Sequence, residues 1–309
     1  MDRVVRGIFV DVEDYDAITF VETLFKERGM ASVLITMTPE QLDKLEPWLR
    51  LDKHIAVWVR LNYGYHPRGT LPPPGTEEER RFFKQATEII RSTRRVKGWI
   101  LGNEPNNPQE WPSGKELTVE YVSDFYARVW RATPIPIWVS PPPLDPFSPY
   151  LEGGYVYLWK MISYFRRNNI RPEFWTFQAK TQLSVPALDL EWMEFGYPPL
   201  TGRSMNFGAM LEMLAYVYVR FPIRAIVISE CNPQRPSEYV GDIRSDTPVG
   251  WPNDPDRQIR WVTHALRLFR LFSFFTTHIF WYVHFYRWAR DAWAIKEKEG
   301  VLKAILYGA

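Results

Sequence analysis

Two carboxylates stand out for where they sit. Glu104 ends the run Gly98-Trp99-Ile100-Leu101-Gly102-Asn103-Glu104-Pro105, and Glu230 ends Ile226-Val227-Ile228-Ser229-Glu230. Each follows a short apolar run of the kind that forms a buried strand. Pro105 has no N–H to give to a ladder, so the first run stops there and leaves Asn103 and Glu104 at its tip. One Glu after a strand is commonly half of a salt bridge or a helix cap. Two at matching tips suggest a working pair. Facing carboxyls separate in proton affinity, because ionising one disfavours ionising the other. One can then act as nucleophile or base while the other delivers a proton.

Such a pair needs elements that bring distant stretches together. Strands are expected at 4–12, 32–37, 55–61, 98–104, 135–140, 174–178, 224–229 and 277–283. Between them fall helical stretches at 16–28, from Thr38, 76–94, 118–131, 154–167, 206–220, 255–272 and 288–306. The first helix has Ile18, Val21, Leu24 and Phe25 on one face and stops at Gly29. Thr38-Pro39-Glu40-Gln41 and Thr76-Glu77-Glu78-Glu79 are capping boxes. Strand starts recur every ~39 residues, close to the unit of a (β/α)8 barrel. Loops after helices are short, and those after strands three to seven are long and aromatic. That asymmetry fits a barrel whose chemistry lies on the strand-to-helix side. The expectation is an α/β fold, a (β/α)8 TIM barrel with residues 1–309 as one domain. An open doubly wound sheet would want a glycine-rich turn after the first strand. Val12-Glu13-Asp14-Tyr15 has none, and its charge would repel phosphate. Strands four and seven lie nearly opposite on an eight-strand ring, so long side chains meet across its mouth. Carboxyls about 5–5.5 Å apart suit cleavage of a glycosidic bond by double displacement.

Composition removes other classes. Hydrophobic residues make up 46% and charged residues 24%, as in an ordinary globular chain. The net charge of +2 and the scattering of Lys and Arg among acids leave no nucleic-acid footprint. The most apolar region, Leu266 to Tyr286, is interrupted by Arg267 and Arg270 and reads as a helix then a strand, not a membrane span. Cys231 stands alone, so no intrachain disulfide forms, and an inert thiol is expected. Five His with no His-x-His after the first strand argue against a metal-dependent hydrolase, and no cofactor is expected. Met1 to Arg6 carries no apolar segment of signal length. The expected location is the cytoplasm, or outside the cell if an export signal has been removed. Oligomeric state has no signal in the sequence. Of 14 Trp, Trp111, Trp192 and Trp251 fall in predicted loops and are candidate stacking platforms for sugars.

Asn-Glu-Pro after strand four, with Glu after strand seven, resembles the largest superfamily of retaining glycoside hydrolases, clan A. These (β/α)8 enzymes include cellulases, mannanases, xylanases and β-galactosidases. The resemblance implies Glu104 as acid/base, Glu230 as nucleophile and Asn103 as a ligand of the sugar 2-OH. It implies Trp281, in Ile279-Phe280-Trp281-Tyr282, as the floor beneath that sugar. Gln178 stands where the family usually has a His or Tyr that holds the nucleophile. Arg60 would keep Glu230 ionised, or else serve as a salt bridge in the barrel wall. The family's strand-three His has no counterpart, since His54 and His66 flank that strand. Asp11 and Glu13 would bind sugar hydroxyls or cap the following helix. His284 would face the mouth or be structural. The substrate implied is a carbohydrate, a β-linked oligo- or polysaccharide. Two other readings use the same features: a non-catalytic carbohydrate-binding barrel and a transglycosylase.

Overall fold

Eight parallel strands form one sheet in the order β5-β4-β3-β2-β1-β8-β7-β6. They are β1 (Val4–Asp11), β2 (Ser32–Met37), β3 (Ala56–Leu61), β4 (Gly98–Leu101), β5 (Trp138–Ser140), β6 (Phe174–Gln178), β7 (Ala225–Glu230) and β8 (His278–His284). The helices between them are α1 (Ala17–Arg28), α2 (Glu46–Leu49), α3 (Glu77–Ser92), α4 (Val119–Ala132), α5 (Tyr155–Arg167), α6 (Phe207–Tyr218), α7 (Pro255–Leu271) and α8 (Glu299–Tyr307). This computed structural model describes residues 4–134, 136–146, 154–179, 207–231, 255–271, 276, 278–285, 295–296 and 298–308. The strand order brings β5 and β6 together and nearly closes the barrel. At that seam the rings of Trp138 and Phe174 stack with centroids 4.0 Å apart. One layer above, the hydroxyls of Ser140 and Thr176 lie 2.7 Å apart. The expected (β/α)8 barrel is therefore the observed architecture, and it runs the length of the chain.

The alternation of side chains along each strand builds two cores. Val5, Phe9, Leu34, Trp58, Ile100, Phe174, Val227, Phe280 and Tyr282 fill the barrel. Ile8, Val33, Val57, Trp99, Leu101, Trp175, Ile226 and Trp281 face outward to the helices. A fully buried indole of about 200 Å² contributes roughly 5 kcal/mol at ~25 cal/mol per Å², so Trp58 is a main weight of the inner core. Its ring needs Gly98. A Cβ there would lie 2.4 Å from the Trp58 ring. Gly98 thus starts β4 for a packing reason as well as marking a boundary.

Local details depart from the sequence expectation in three places. The Thr38–Gln41 capping box forms, but it opens a 3₁₀ helix over Pro39–Leu45 before the short α2. Pro47 near the start of α2 shortens the α-helical run. β5 begins at Trp138 rather than residue 135. β4 ends at Leu101 rather than residue 104, where Gly102 turns the chain with φ of 79°. The last helix is described from Glu299, and 286–294, where it was expected to begin, lie outside the described residues. Among the described residues no helix is long and apolar enough to cross a membrane.

Candidate active site

The inner face of β3 carries Trp58 and, two residues on, Arg60. That step lifts the guanidinium from the packed core to the C-terminal mouth. One nitrogen, Nη1, donates to Glu230 Oε1 at 2.8 Å and to Asn103 Oδ1 at 2.7 Å. The guanidinium carbon lies 4.3 Å over the ring of Phe9. The imidazole of His284 meets the same ring edge-on at 4.9 Å, and its Nε2 is 3.5 Å from Glu230 Oε2. Arg60, Asn103, Glu104, Glu230 and His284 are all buried, at 5–6% exposure. Glu230 therefore has a permanent cation at hydrogen-bond distance in a poorly solvated site, which favours its ionised form.

Glu230 reaches this face through an irregularity. Along β6 and β7, Phe177 pairs with Ile228 but Gln178 pairs with Glu230, so Ser229 is passed over. Simple alternation would place Glu230 with Ile226 and Ile228, which face the helices. The bulge shifts the phase and turns the carboxylate into the mouth.

Glu104 is placed by a different device. Gly102 has φ of 79° and Glu104 itself has φ of 39°. Left-handed backbone is uncommon for a residue with a Cβ, and it costs about 1 kcal/mol or more. Its surroundings hold it there. The Glu104 N–H donates to Pro143 O at 2.9 Å, and its carbonyl accepts from Asn107 N–H at 2.8 Å. The side chain of Asn107 donates to Glu104 Oε2 at 2.9 Å. The turn thus aims a buried carboxyl beside Asn103, whose own N–H is bonded to the hydroxyl of Thr70.

Sequence reasoning missed a third carboxylate, Glu110. It ends a short 3₁₀ turn, Pro108–Glu110, in the loop after β4. Its Oε1 accepts from Asn103 Nδ2 at 3.1 Å, and its carbonyl accepts from Thr70 N–H at 2.9 Å. Burial, chiefly, and then the charge of Glu104 raise its proton affinity to about 7, against the pull of Arg60 and Asn103. Tyr65 was missed as well. It lies in the electrostatic reach of Asp11, Arg60 and Glu110, and burial pushes its hydroxyl up to about 12. Both sit in loops without periodicity, where spacing along the chain carries no signal.

The other expected residues divide. Asp11 lies at the tip of β1, where Oδ1 accepts from Glu13 N–H at 3.1 Å and burial raises its pKa. That bond closes a turn ahead of α1, whose N-cap is Asp16, so it is not the helix cap expected as the alternative to sugar binding. Glu13 pairs with Lys44 at the surface. Gln178 aligns with Glu230 across the ladder, yet both its amide atoms are buried without a hydrogen bond among the described residues. Trp281 needs correcting as a sugar floor. It packs in the outer core between sheet and helices, while Phe280 and Tyr282 point inward. The expected residue was one step out of phase with the strand's alternation. Cys231 is fully buried, and burial raises its thiol pKa well above the ordinary value. Trp111 is half-buried, and its indole N–H donates to Pro105 O at 2.8 Å, bracing the Glu104 loop. Trp192 and Trp251 lie outside the described residues.

No protein-family model matches the sequence, and no curated protein matches it. Solved structures do. A GH128 (subgroup I) endo-β-1,3-glucanase from Amycolatopsis mediterranei, bound to laminaritriose, superposes with a TM-score of 0.57 at 11% identity, over 99% of both chains. A GH10 endoxylanase from a sugarcane soil metagenome gives 0.62 at 10% identity, over 99% of this chain and 97% of that one. A GH39 enzyme from Xanthomonas axonopodis pv. citri gives 0.60 at 14% identity, over 99% of this chain and 66% of that one. At such identities the likeness is one of fold: this chain shares the barrel architecture of these glycoside hydrolases.

Proposed function

We propose that the protein is a retaining glycoside hydrolase acting on a β-linked oligo- or polysaccharide. The observation that carries this reading is the Arg60 bridge, one nitrogen bonded to both Glu230 and Asn103. It ties the tip of β7 to the tip of β4 across the mouth. Glu104 is the residue after Asn103, which supports its lying at the same opening.

The two carboxyls are unlike in their surroundings. Glu230 lies against a cation, and it is the nucleophile: its oxygen bonds to the anomeric carbon as the glycosidic C–O bond breaks. Glu104 accepts from a neutral amide, and it is the proton carrier: it protonates the departing oxygen. In the second half Glu104 takes a proton from water, the water oxygen bonds to the anomeric carbon, and the Glu230 ester is released. Asn103 Nδ2 has a second hydrogen, which suits a sugar 2-OH. The solved neighbours support a glycan substrate, and their activities make β-1,3-glucan and xylan the first polymers to test.

Glu230→Ala is expected to abolish turnover of aryl β-glycosides, and azide to restore it partly as the glycosyl azide. Glu104→Ala is expected to slow substrates with poor leaving groups by about 10²–10⁴-fold and activated ones far less. Wild-type binding of oligosaccharide without turnover would mean a carbohydrate-binding barrel. Full activity of Glu230→Ala would remove Glu230 from the nucleophile role.

A further inference from the structure

Asn103 is held at both ends of its amide. Its Oδ1 accepts from Arg60, and its Nδ2 donates to Glu110. Turned over, the amide would set NH₂ against the Arg60 N–H and oxygen against the Glu110 carboxyl. Both contacts would be lost, donor on donor and acceptor on acceptor. The bonds all point away from Arg60, which donates to Glu230 on one side and to Asn103 on the other, and Asn103 donates on to Glu110. Glu110 is the acceptor that ends the Asn103 arm, and its own backbone is fixed from the neighbouring loop by Thr70.

Building on the glycosidase reading above, we propose that Glu110 is a positioning residue of the site, one that fixes the Asn103 amide and, through Arg60, the place of Glu230. The groups around it agree with this role. Glu104 on the β4 tip, Arg60 on β3, Glu230 on β7 and Tyr65 in the β3–α3 loop all act on its carboxyl. It titrates close to neutrality, so it changes charge where the site would work. A third negative charge beside the sugar would favour the cationic character of the transition state.

Two variants and one spectroscopic titration test this. Glu110→Ala is expected to lower kcat on an aryl β-glycoside by about 10²-fold with little change in KM, the scale of a misplaced catalytic constellation. Glu110→Gln keeps the acceptor for Asn103 and is expected to recover about tenfold of that loss. Its pH–rate profile should lack an inflection near 7 that the wild type shows. The second readout needs no turnover. The ¹³C carboxyl signal of Glu110, assigned by its absence in Glu110→Gln, is followed against pH in wild type and in Asn103→Ala. Loss of the Asn103 donor is expected to raise the midpoint. A wild type that cleaves no glycoside sinks the glycosidase reading, and the titration alone then judges the Glu110–Asn103 coupling. An unmoved midpoint, or Glu110→Gln no better than Glu110→Ala in an active enzyme, overturns the assignment.

Discussion

Glu110→Gln also has a consequence for stability that needs no substrate. In the unfolded chain the Glu110 carboxyl titrates at its ordinary value of 4.5, and in the folded protein at about 7. The folded state therefore binds the proton more tightly. For a raised carboxyl, the associated stability is fully present below about pH 4.5 and is lost as pH rises through about 7. At about 1.4 kcal/mol per tenfold change in proton affinity, the full effect is roughly 3 kcal/mol. Glu110 keeps partial access to solvent, which screens the penalty, so the expected loss is about 2 kcal/mol. Glutamine has the same shape and nothing to titrate. Urea unfolding of wild type and Glu110→Gln from about pH 5 to about pH 8.5 should show the curves diverge by that amount, the variant gaining on the wild type toward alkaline pH. Every other titrating group is common to both proteins and cancels. Parallel curves would mean that the folded carboxyl is not raised, and the account of its surroundings would be wrong.

Two further perturbations test the mouth. Arg60→Met takes the cation from a buried ion pair, and one-sided breaking of such a pair costs about 3–5 kcal/mol. Arg60→Met/Glu230→Leu should cost clearly less than Arg60→Met alone, and additive losses in a double-mutant cycle would deny the coupling. Gln178→Met replaces a buried amide, with no hydrogen bond among the described residues, by an apolar chain of similar length. It should leave stability unchanged or raise it by about 1–2 kcal/mol, and a fall of that size in chemical denaturation would show that the amide has a partner.

Much of the architecture was legible because the barrel repeats one unit. Apolar runs such as 224–229 and capped helices such as Thr76 onward follow local rules, and the long strand-to-helix loops point to one end. The carboxylate tips were legible because each follows an apolar run, although β4 ends at Leu101, where Gly102 turns the chain, and not at Pro105 as expected. Facing was harder to read. Trp281 was assigned to the mouth by its position near the end of β8, but a strand's two faces differ by one residue, and the phase is set by Phe280 and Tyr282 packing inside. Glu230 shows the opposite case. Alternation alone would turn it outward, and a bulge at Ser229 corrects the phase, a feature with no mark in Ile226-Val227-Ile228-Ser229. Glu110 was invisible because its place depends on how two loops meet, through Thr70.

Arginine at position 60 is hard to replace by another cation. Nη1 donates two hydrogens in one plane, to a carboxylate on β7 and an amide on β4, while the flat face of the group rests on Phe9. A lysine ammonium is a point charge with donors splayed as a tetrahedron, and it is more strongly hydrated. It could meet Glu230 but would lose the planar contact with Phe9 and the in-plane angle to Asn103. Glu230 ends β7 and Glu104 lies in the turn after β4, two strands that share no hydrogen bond in the sheet. Their relative position is therefore set by side chains, and a single planar cation, stacked from below and bonded on both sides, joins the β4 and β7 tips with fewer rotatable parts than a chain of flexible contacts.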